Sequence, residues 1–113
     1  MEIEFLDFLN IKERQCIIEN YKVDGIDNEN IIYEFIGDYW HGNPEVFNLN
    51  DVNQSNHKTF GELYENTIIK FIELSKLGYI IKYIWENDWE IWNKQNRCYD
   101  LPLKEYNVEE ILI

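Results

Sequence analysis

The sequence predicts an α/β fold in which a mixed four-stranded sheet is flanked by helices. Three features predict it: short runs of β-branched and aromatic residues early in the chain, one long amphipathic pattern, and a strand-like run directly after that pattern. The predicted order of elements is helix, β-meander, helix, strand, helix. A chain of 113 residues can build one hydrophobic core, so residues 1–113 are predicted to form a single domain, with 91–113 as a C-terminal extension.

A short amphipathic helix is predicted over residues 2–9, because Ile3, Leu6 and Leu9 recur at helical spacing. Glu4 lies off the central apolar line of this helix. Three β-prone runs follow and form the predicted meander, over residues 16–18, 21–26 and 31–36.

The turn between the second and third strands decides which side chains face one another. A three-residue loop over residues 28–30 would place Asn30 in the left-handed conformation, which asparagine tolerates. That register sets Asp24 directly opposite Glu34 on one face, with Cβ atoms roughly 5 Å apart. A loop of two or four residues would send the two acids to opposite faces. Carboxylates this close repel each other unless a cation lies between them or one stays protonated.

The second half of the chain begins with a polar loop over residues 45–58 and continues with the most clearly patterned helix. Thr59 and Glu62 have the spacing of a capping box at its start. The apolar stripe of this helix runs to about Leu77, and Gly78 stands where a glycine commonly ends a helix.

A nearly continuous apolar run over residues 79–85 predicts a strand that is buried on both faces beside a parallel neighbour. The polar segment 86–88 follows at the carboxyl end of this strand, where open α/β sheets often place their sites. A last helix is predicted over residues 90–94. The tail from Leu101 is acidic and ends in three apolar residues, 111–113, which suit a docking helix or an oligomer contact.

The charge balance is acidic, with 22 Asp and Glu against 10 Lys and Arg and a formal net charge of −12. This balance is unfavourable for a nucleic-acid binder, because phosphate contacts need cations. It is tolerable if the acids lie on the far side, if metal ions bridge to phosphate, or if a partner supplies basic surface.

Cys16 and Cys98 are too few for a disulfide framework or a structural zinc cluster. The N-terminus has no basic region followed by a long apolar run, and the apolar run 79–85 is too short to cross a bilayer. The sequence therefore predicts a soluble intracellular protein, in the cytoplasm or nucleus of its host, with no membrane partner.

The candidate site lies in residues 33–44. A strand-like run that contains Glu34 leads into a glycine, a second acid, two aromatic residues and His41. Apolar burial alone does not require this grouping. A carboxylate, an imidazole and flat aromatic faces at one strand end therefore predict a functional site, with Asp24 on the neighbouring strand as its second acid.

Five short segments of the chain resemble the very-short-patch-repair (Vsr-like) endonucleases and the related EDxHD homing endonucleases, a branch of the PD-(D/E)XK superfamily. The segments are 23–25, 33–35, 37–44, 78–79 and 84–86. The resemblance covers roughly residues 3 to 90, and its most specific part is the run Gly-Asp-Tyr-Trp-His-Gly. It implies a restriction-endonuclease-like core and cleavage of double-stranded DNA.

The resemblance implies that Asp24 is a metal-binding aspartate, and Glu34 fills an acid position beside it. Mg²⁺ or Mn²⁺ is the implied cofactor, since such ions prefer oxygen ligands and keep waters for catalysis. His41 is implied to activate water, which an imidazole can do because its pKa lies near neutrality. Glu4 falls where the family places a catalytic helical acid.

The aromatic pair Tyr39 and Trp40 matches residues that wedge between base steps of the duplex, and Asn43 of the same motif is assigned to DNA contact. Four further charged residues are kept as site candidates: Asp38, Lys70, Glu86 and Asp88.

Three departures from the family pattern shape the functional prediction. Ile36 occupies the position of a lysine in the wider superfamily and of a histidine in the Vsr-like enzymes, and Lys70 is the candidate that could replace the lysine. Glu34 fills a position that the Vsr-like enzymes leave apolar. The structural zinc cluster of the repair enzymes has no counterpart among the two cysteines. A homing-type or virus- or phage-encoded nuclease is therefore favoured over a mismatch-repair enzyme.

The leading prediction is a metal-dependent DNA endonuclease that hydrolyses a phosphodiester by water attack. One alternative is a catalytically degenerate nuclease fold that acts as a binding or assembly module. Another is an acidic protein that binds a basic partner or mimics DNA. A homodimer, a further DNA-binding domain or a partner protein are the open sources of additional DNA contacts.

Overall fold

The structure of the protein is a computed structural model that describes residues 1–106. Four α-helices and five β-strands follow one another in the order α1 Glu2–Phe8, β1 Glu13–Ile18, β2 Tyr21–Ile26, β3 Ile31–Ile36, α2 Asp38–His41, α3 Phe60–Lys76, β4 Ile80–Trp85, α4 Glu86–Lys94 and β5 Lys104–Tyr106. The strands form one mixed sheet in the order β1-β2-β3-β4-β5. The predicted α/β class and its mixed sheet flanked by helices are confirmed.

The sheet has five strands, so the prediction of four is wrong. The additional strand is β5, which pairs antiparallel with β4 through Ile81–Tyr106, Lys82–Glu105 and Tyr83–Lys104. Its three residues are too few to show a strand periodicity, and two of them are charged, so the sequence gives little sign of it. Pairing with β5 covers an edge that β4 would otherwise expose. The acidic and apolar end of the tail, residues 107–113, lies outside the described residues.

Helices cover both faces of the sheet. One face packs against α1 and α4 around a cluster formed by Phe5, Leu6, Ile11, Tyr33, Ile84, Trp89 and Trp92. The other packs against α3 around a cluster formed by Val23, Ile32, Ile36, Phe71, Leu74, Ile81 and Trp85. Alternate residues of β3 and β4 enter the two clusters, which is why both strands read as continuous apolar runs.

The predicted hairpin between β2 and β3 is present, and of the loop lengths left open by the sequence it has the one of three residues. Asn30 has a φ of 61°, and the Asp27 amide donates to the Ile31 carbonyl oxygen at 3.0 Å. The ladder pairs Gly25 with Tyr33 and Ile26 with Ile32. The next pair in this register is Asp24 and Glu34.

The long helix begins and ends close to the predicted positions. Thr59 is its N-cap and accepts a hydrogen bond from the Glu62 amide at 3.1 Å. At the other end, Gly78 has a φ of 97°, a conformation in which glycine has no steric penalty. β4 then returns parallel to β3, and its last residue, Trp85, lies beside Ile36.

The carboxyl ends of β3 and β4 therefore lie at the same edge of the sheet, and a helix begins directly after each. One is the single turn α2, which the sequence did not predict. The other is α4, which begins at Glu86 and not at residue 90. The polar segment 86–88 thus forms the first turn of a helix, where acidic side chains suit the helix dipole. Within residues 1–106, no helix is long and apolar enough to cross a membrane.

Candidate active site

A cavity of about 350 Å³ opens between the N-terminus of α1, strands β2 and β3, and helix α3. We call it the acidic cleft and define it by six of its polar lining residues, Glu2, Asp24, Glu34, His41, Thr67 and Lys70; Tyr21, Lys22 and Asn66 also line the cavity. Four of these were candidate site residues: Asp24, Glu34, His41 and Lys70. Residues from four separate elements thus meet in one cavity, although up to 46 positions separate them in the sequence.

The two central acids lie at a fork in the sheet. In the described part of β2 and β3, the backbone ladder ends at Gly25 and Tyr33, and carboxylates bridge the strands beyond it. The Phe35 amide donates to Asp24 Oδ2 at 2.8 Å, and the Asp24 amide donates to Glu34 Oε2 at 3.2 Å. Each acid therefore satisfies a backbone donor of the opposite strand, which fixes its position.

The acidic cleft contains more negative charge than its cations balance. Burial, together with the neighbouring Glu34 carboxylate, raises the pKa of Asp24 to about 7. Glu34 is only 4% exposed and forms a close ion pair with the Lys70 ammonium. Lys70 Nζ also donates to the Lys22 carbonyl oxygen at 2.8 Å. The Lys70 ammonium therefore offsets the charge of Glu34, and the raised pKa of Asp24 favours the protonated form of its carboxyl group below about pH 7.

The helical acid of the cleft is Glu2 and not Glu4, so the assignment of Glu4 is corrected. Glu4 is exposed and lines a different cavity with Trp89 and Asn93. Glu2 lies three and four residues before the buried Phe5 and Leu6, on the same helical face. Its carboxyl group lies within hydrogen-bonding reach of Asp24, and burial followed by the Asp24 charge raises its pKa.

His41 is the last residue of α2, and its ring contacts α3. Nδ1 lies 3.0 Å from Thr67 Oγ1. The residue keeps one side exposed to solvent, and burial of its other side, with the nearby Lys70 charge, lowers the pKa of the imidazole. His41 therefore stays neutral and able to accept a proton near neutral pH.

Tyr39 and Trp40 stand beside His41 in α2 but have different surroundings. Their ring centroids are 5.0 Å apart. The Tyr39 hydroxyl lies 2.9 Å from Ser55 Oγ, and its ring packs against Phe60. Trp40 is 57% exposed and offers a flat apolar face to a ligand. Tyr39 instead ties α2 to the polar loop and α3.

The assignment of Asn43 to DNA contact is corrected, because its side chain is buried. Asn43 is 2% exposed, and its Nδ2 donates to Asp38 Oδ1 at 2.8 Å. Asp38 Oδ1 also accepts from the Asn87 amide at 3.3 Å, and the Asp38 amide donates to Glu86 Oε1 at 3.1 Å. Together these groups fasten the end of β3 to the end of β4, so Asp38 and Glu86 act as structural residues outside the acidic cleft.

The remaining charged candidate, Asp88, also lies outside the acidic cleft. Its Oδ2 lies 3.9 Å from Lys104 Nζ, and the Lys104 side chain is 49% exposed. Such an exposed ion pair contributes little to stability. It links the start of α4 to β5 and places Asp88 away from Asp24 and Glu34.

The chemistry of the acidic cleft suits a hard cation, although its ligands are not preassembled. Asp24 and Glu34 offer carboxylate oxygens, which Mg²⁺ and Mn²⁺ prefer. Over residues 1–106, no group of three or more His, Cys, Asp and Glu side chains is arranged to hold a metal ion. Mg²⁺ commonly binds through one or two carboxylates and keeps several waters, so the two acids fit it as a partial ligand set.

Two residues of the acidic cleft were not identified from the sequence. Glu2 shares the apolar face of α1, where an acid is unusual. Thr67 is likewise a polar residue on the buried face of α3, beside Leu63 and Phe71. A polar side chain on an apolar helical stripe was therefore the available signal in both cases.

Comparisons with protein-family models, with curated proteins and with solved structures gave no match for this chain.

Proposed function

We propose that the protein is a metal-dependent endonuclease that hydrolyses a phosphodiester of double-stranded DNA in the acidic cleft. The observation that carries this proposal is the meeting of Asp24, Glu34, Lys70 and His41 in one cavity at the fork between β2 and β3. Two acids that can hold a metal ion, a cation and a neutral imidazole are groups that can serve phosphodiester hydrolysis by water. The same arrangement supports the further proposal that the sheet and its helices form a restriction-endonuclease-like core.

Asp24 and Glu34 are the proposed ligands of Mg²⁺ or Mn²⁺. When bound, such a cation would lower the pKa of a water molecule attached to it. It would also neutralise the negative charge that develops on the phosphate oxygens. His41 accepts the proton of the attacking water, since its imidazole is neutral near physiological pH. The strongly raised pKa of Asp24 is typical of functional sites, where burial and like charges are combined.

Lys70 is proposed to take the place of the lysine that the wider superfamily has at the position of Ile36. Ile36 is 3% exposed and packs in the cluster against α3, so that position supplies no charge. Lys70 extends from α3 to the Glu34 carboxylate and the Lys22 carbonyl oxygen. An ammonium at this place can position water or a phosphate oxygen.

The exposed ring of Trp40 is the proposed contact for DNA bases next to the cleaved bond. An apolar ring of this size can insert between base steps and unstack them. Trp40 lies next to His41 in α2, so a distorted step would come close to the acidic cleft. Cations bound by the acids would offset the repulsion between DNA and a chain of net charge −12.

The test is cleavage of supercoiled plasmid in Mg²⁺ or Mn²⁺ by the wild type and by Asp24→Ala. Loss of a metal ligand is expected to reduce the rate by at least about 100-fold, because metal stabilisation is worth several kcal/mol and each tenfold is about 1.4 kcal/mol. Glu65→Gln is the matched control, since Glu65 is an exposed acid on α3. Cleavage that persists in Asp24→Ala would reject the assignment.

The second candidate is a degenerate nuclease fold that serves as a binding module. Ile36 at the lysine position and the net charge of −12 favour it. Isothermal titration with Mn²⁺ separates the two functions. Tight Mn²⁺ binding that Asp24→Ala abolishes supports the nuclease, whereas a wild type that neither binds Mn²⁺ nor cleaves plasmid supports the module.

A further inference from the structure

Thr67 brings a buried hydroxyl group against the imidazole of His41. Thr67 is 7% exposed, and its Oγ1 lies 3.0 Å from His41 Nδ1. The same hydroxyl donates to the carbonyl oxygen of Leu63, one helical turn earlier, at 3.2 Å. A hydroxyl has one proton to donate and lone pairs with which to accept. The direction of the Thr67–His41 hydrogen bond therefore depends on where that single proton lies.

The contact with Leu63 favours one direction, because a carbonyl oxygen can only accept. With its proton directed to Leu63, Thr67 Oγ1 is left as an acceptor for His41. Nδ1 must then carry the hydrogen. The reverse arrangement, in which the hydroxyl donates to Nδ1, would give up the hydrogen bond to Leu63 and so make one hydrogen bond fewer at this buried hydroxyl.

We propose that Thr67 is a positioning residue that holds neutral His41 in its Nδ1–H tautomer and leaves Nε2 as the acceptor nitrogen. The hydrogen bond that one ring nitrogen makes decides whether the other nitrogen of the neutral ring carries a hydrogen. Within residues 1–106, Nε2 has no hydrogen-bond partner, and His41 lines the acidic cleft beside Thr67 and Lys70. A histidine side chain in water favours the opposite tautomer, so the contact has a measurable consequence.

The functional part of this inference rests on the proposed nuclease activity. An attacking water must transfer a proton to a lone pair, and Nε2 provides one while Nδ1 does not. The proton moves from water to Nε2, which leaves an imidazolium with a hydrogen on both nitrogens. The water oxygen forms its bond to phosphorus, the bond to the leaving oxygen breaks with its electron pair, and that oxygen takes a proton from solvent.

The experiment is NMR of protein labelled with ¹⁵N-histidine, in which long-range ¹H–¹⁵N correlations distinguish protonated from bare ring nitrogens. The chain has two histidines, so the spectrum contains two rings, and the exposed His57 is an internal reference for the tautomer favoured in water. At about pH 8, where a histidine of ordinary pKa is neutral, His41 is expected to show a protonated Nδ1 and a bare Nε2.

Two variants of Thr67 test whether its hydroxyl group is the cause of the His41 tautomer. Thr67→Val keeps the branched shape without the hydroxyl and is expected to shift His41 toward the Nε2–H tautomer. Thr67→Ser keeps the hydroxyl and is expected to retain the wild-type tautomer. Plasmid cleavage should fall in Thr67→Val by about 10- to 100-fold, taking as a guide the loss seen when the hydrogen-bond partner of a metal-ligating histidine is removed, and recover in Thr67→Ser.

The outcomes separate this inference from the proposed function. A bare Nδ1 in the wild type, or a tautomer unchanged in Thr67→Val, would overturn the role of Thr67. If Thr67→Val does not fold, the wild-type tautomer and its retention in Thr67→Ser still decide. An Nδ1–H tautomer in a wild type that cleaves no DNA would reject the nuclease and leave the Thr67 contact standing.

Discussion

At the scale of single residues, Asp24 has the least favourable surroundings in the acidic cleft. Its partly buried carboxyl group lies between the Glu34 and Glu2 carboxyl groups, while the Lys70 ammonium pairs with Glu34 and not with Asp24. In a hydrophobic core such an acid would be destabilising. Its position beside Glu34 is therefore unfavourable for stability unless a cation binds there, as the proposed function requires.

The raised pKa of Asp24 predicts that the metal-free protein loses stability as pH rises from about 4 to about 7. Folded Asp24 keeps its proton up to about pH 7, whereas the unfolded chain releases it near the ordinary value of 3.8. The unfolded state then binds fewer protons, so the free energy of unfolding falls, by at most about 1.4 kcal/mol per pH unit. Urea unfolding in EDTA across this range measures the slope.

Asp24→Asn isolates this contribution, because an amide can still accept from the Phe35 amide but does not titrate. The variant is expected to show a flatter pH dependence and greater stability than the wild type above pH 7. His41 contributes in the opposite sense, since its lowered pKa makes stability rise with pH near 6, and it does so in both proteins. Asp51→Asn, at an exposed acid, is the control. Equal slopes for wild type and Asp24→Asn would contradict the raised pKa.

At the scale of elements, the hairpin and the long helix were predictable because local residues determine them. Asn30 tolerates a positive φ, so a three-residue loop, with the register that sets Asp24 opposite Glu34, was among the loop lengths that the sequence allowed. Thr59 and Gly78 marked the ends of α3 through local capping chemistry. By contrast, β5 forms by pairing with the exposed edge of β4, and its three residues are too few to show the alternating pattern of a strand.

The candidate site was predictable where strand register decides position and unpredictable where tertiary contacts do. Asn43 looked like a loop residue able to contact DNA, but its amide is used to hold Asp38 at the junction of β3 and β4. Glu4 and Glu2 are both acids on one short helix, and Glu2 is the one that shares the face of the buried Phe5 and Leu6. The spacing of these residues was visible in the sequence, but which apolar residues of the helix pack against the sheet was not.

Gly42 is the residue that allows α2 to approach α3, and two glycines allow a matched test. Both Gly42, with a φ of 66°, and Gly78, with a φ of 97°, have left-handed backbones. A Cβ on Gly42 would lie 2.1 Å from the Phe60 carbonyl oxygen, whereas one on Gly78 meets nothing within 4 Å. Only Gly42 combines backbone strain with a steric clash.

Gly78→Ala is therefore expected to cost about 1–2 kcal/mol, the usual penalty of a left-handed alanine, and Gly42→Ala markedly more. Because α2 must move away from α3, Gly42→Ala should also weaken the contact between His41 and Thr67. Urea unfolding measures the first effect, and the ring spectrum of His41 measures the second. Equal costs for the two substitutions would show that α2 does not pack tightly against Phe60.

At the scale of the whole molecule, exposed acids lie on four elements and in the loops between them and do not concentrate at the acidic cleft. They are found on α1, β1, α3, β5 and the loops: Glu4, Asp7, Glu13, Glu19, Glu29, Glu45, Asp51, Glu62, Glu65, Glu73, Asp100 and Glu105. With a net charge of −12 spread in this way, the carboxylates of the folded chain repel one another. It also repels DNA, which is why the proposed function requires cations at Asp24 and Glu34.

Self-repulsion predicts that monovalent salt stabilises this protein. The screening length falls from about 30 Å at 0.01 M to about 8 Å at 0.15 M ionic strength, so repulsion between acids on different elements is removed over that range. The urea midpoint at pH 8 in EDTA is therefore expected to rise with NaCl while the slope of the transition stays constant.

A variant with fewer acids separates charge screening from other effects of salt. Glu13→Gln, Asp51→Asn and Glu65→Gln together change the net charge by +3, from −12 to −9, at exposed positions on β1, the polar loop and α3. This variant should start with a higher midpoint and respond less to NaCl. A midpoint that falls as salt increases would instead mean that ion pairs such as Asp7–Arg14 and Lys70–Glu34 outweigh the repulsion. The acids of the surface would then be neutralised in part by nearby cations, and the repulsion between the protein and DNA would be smaller.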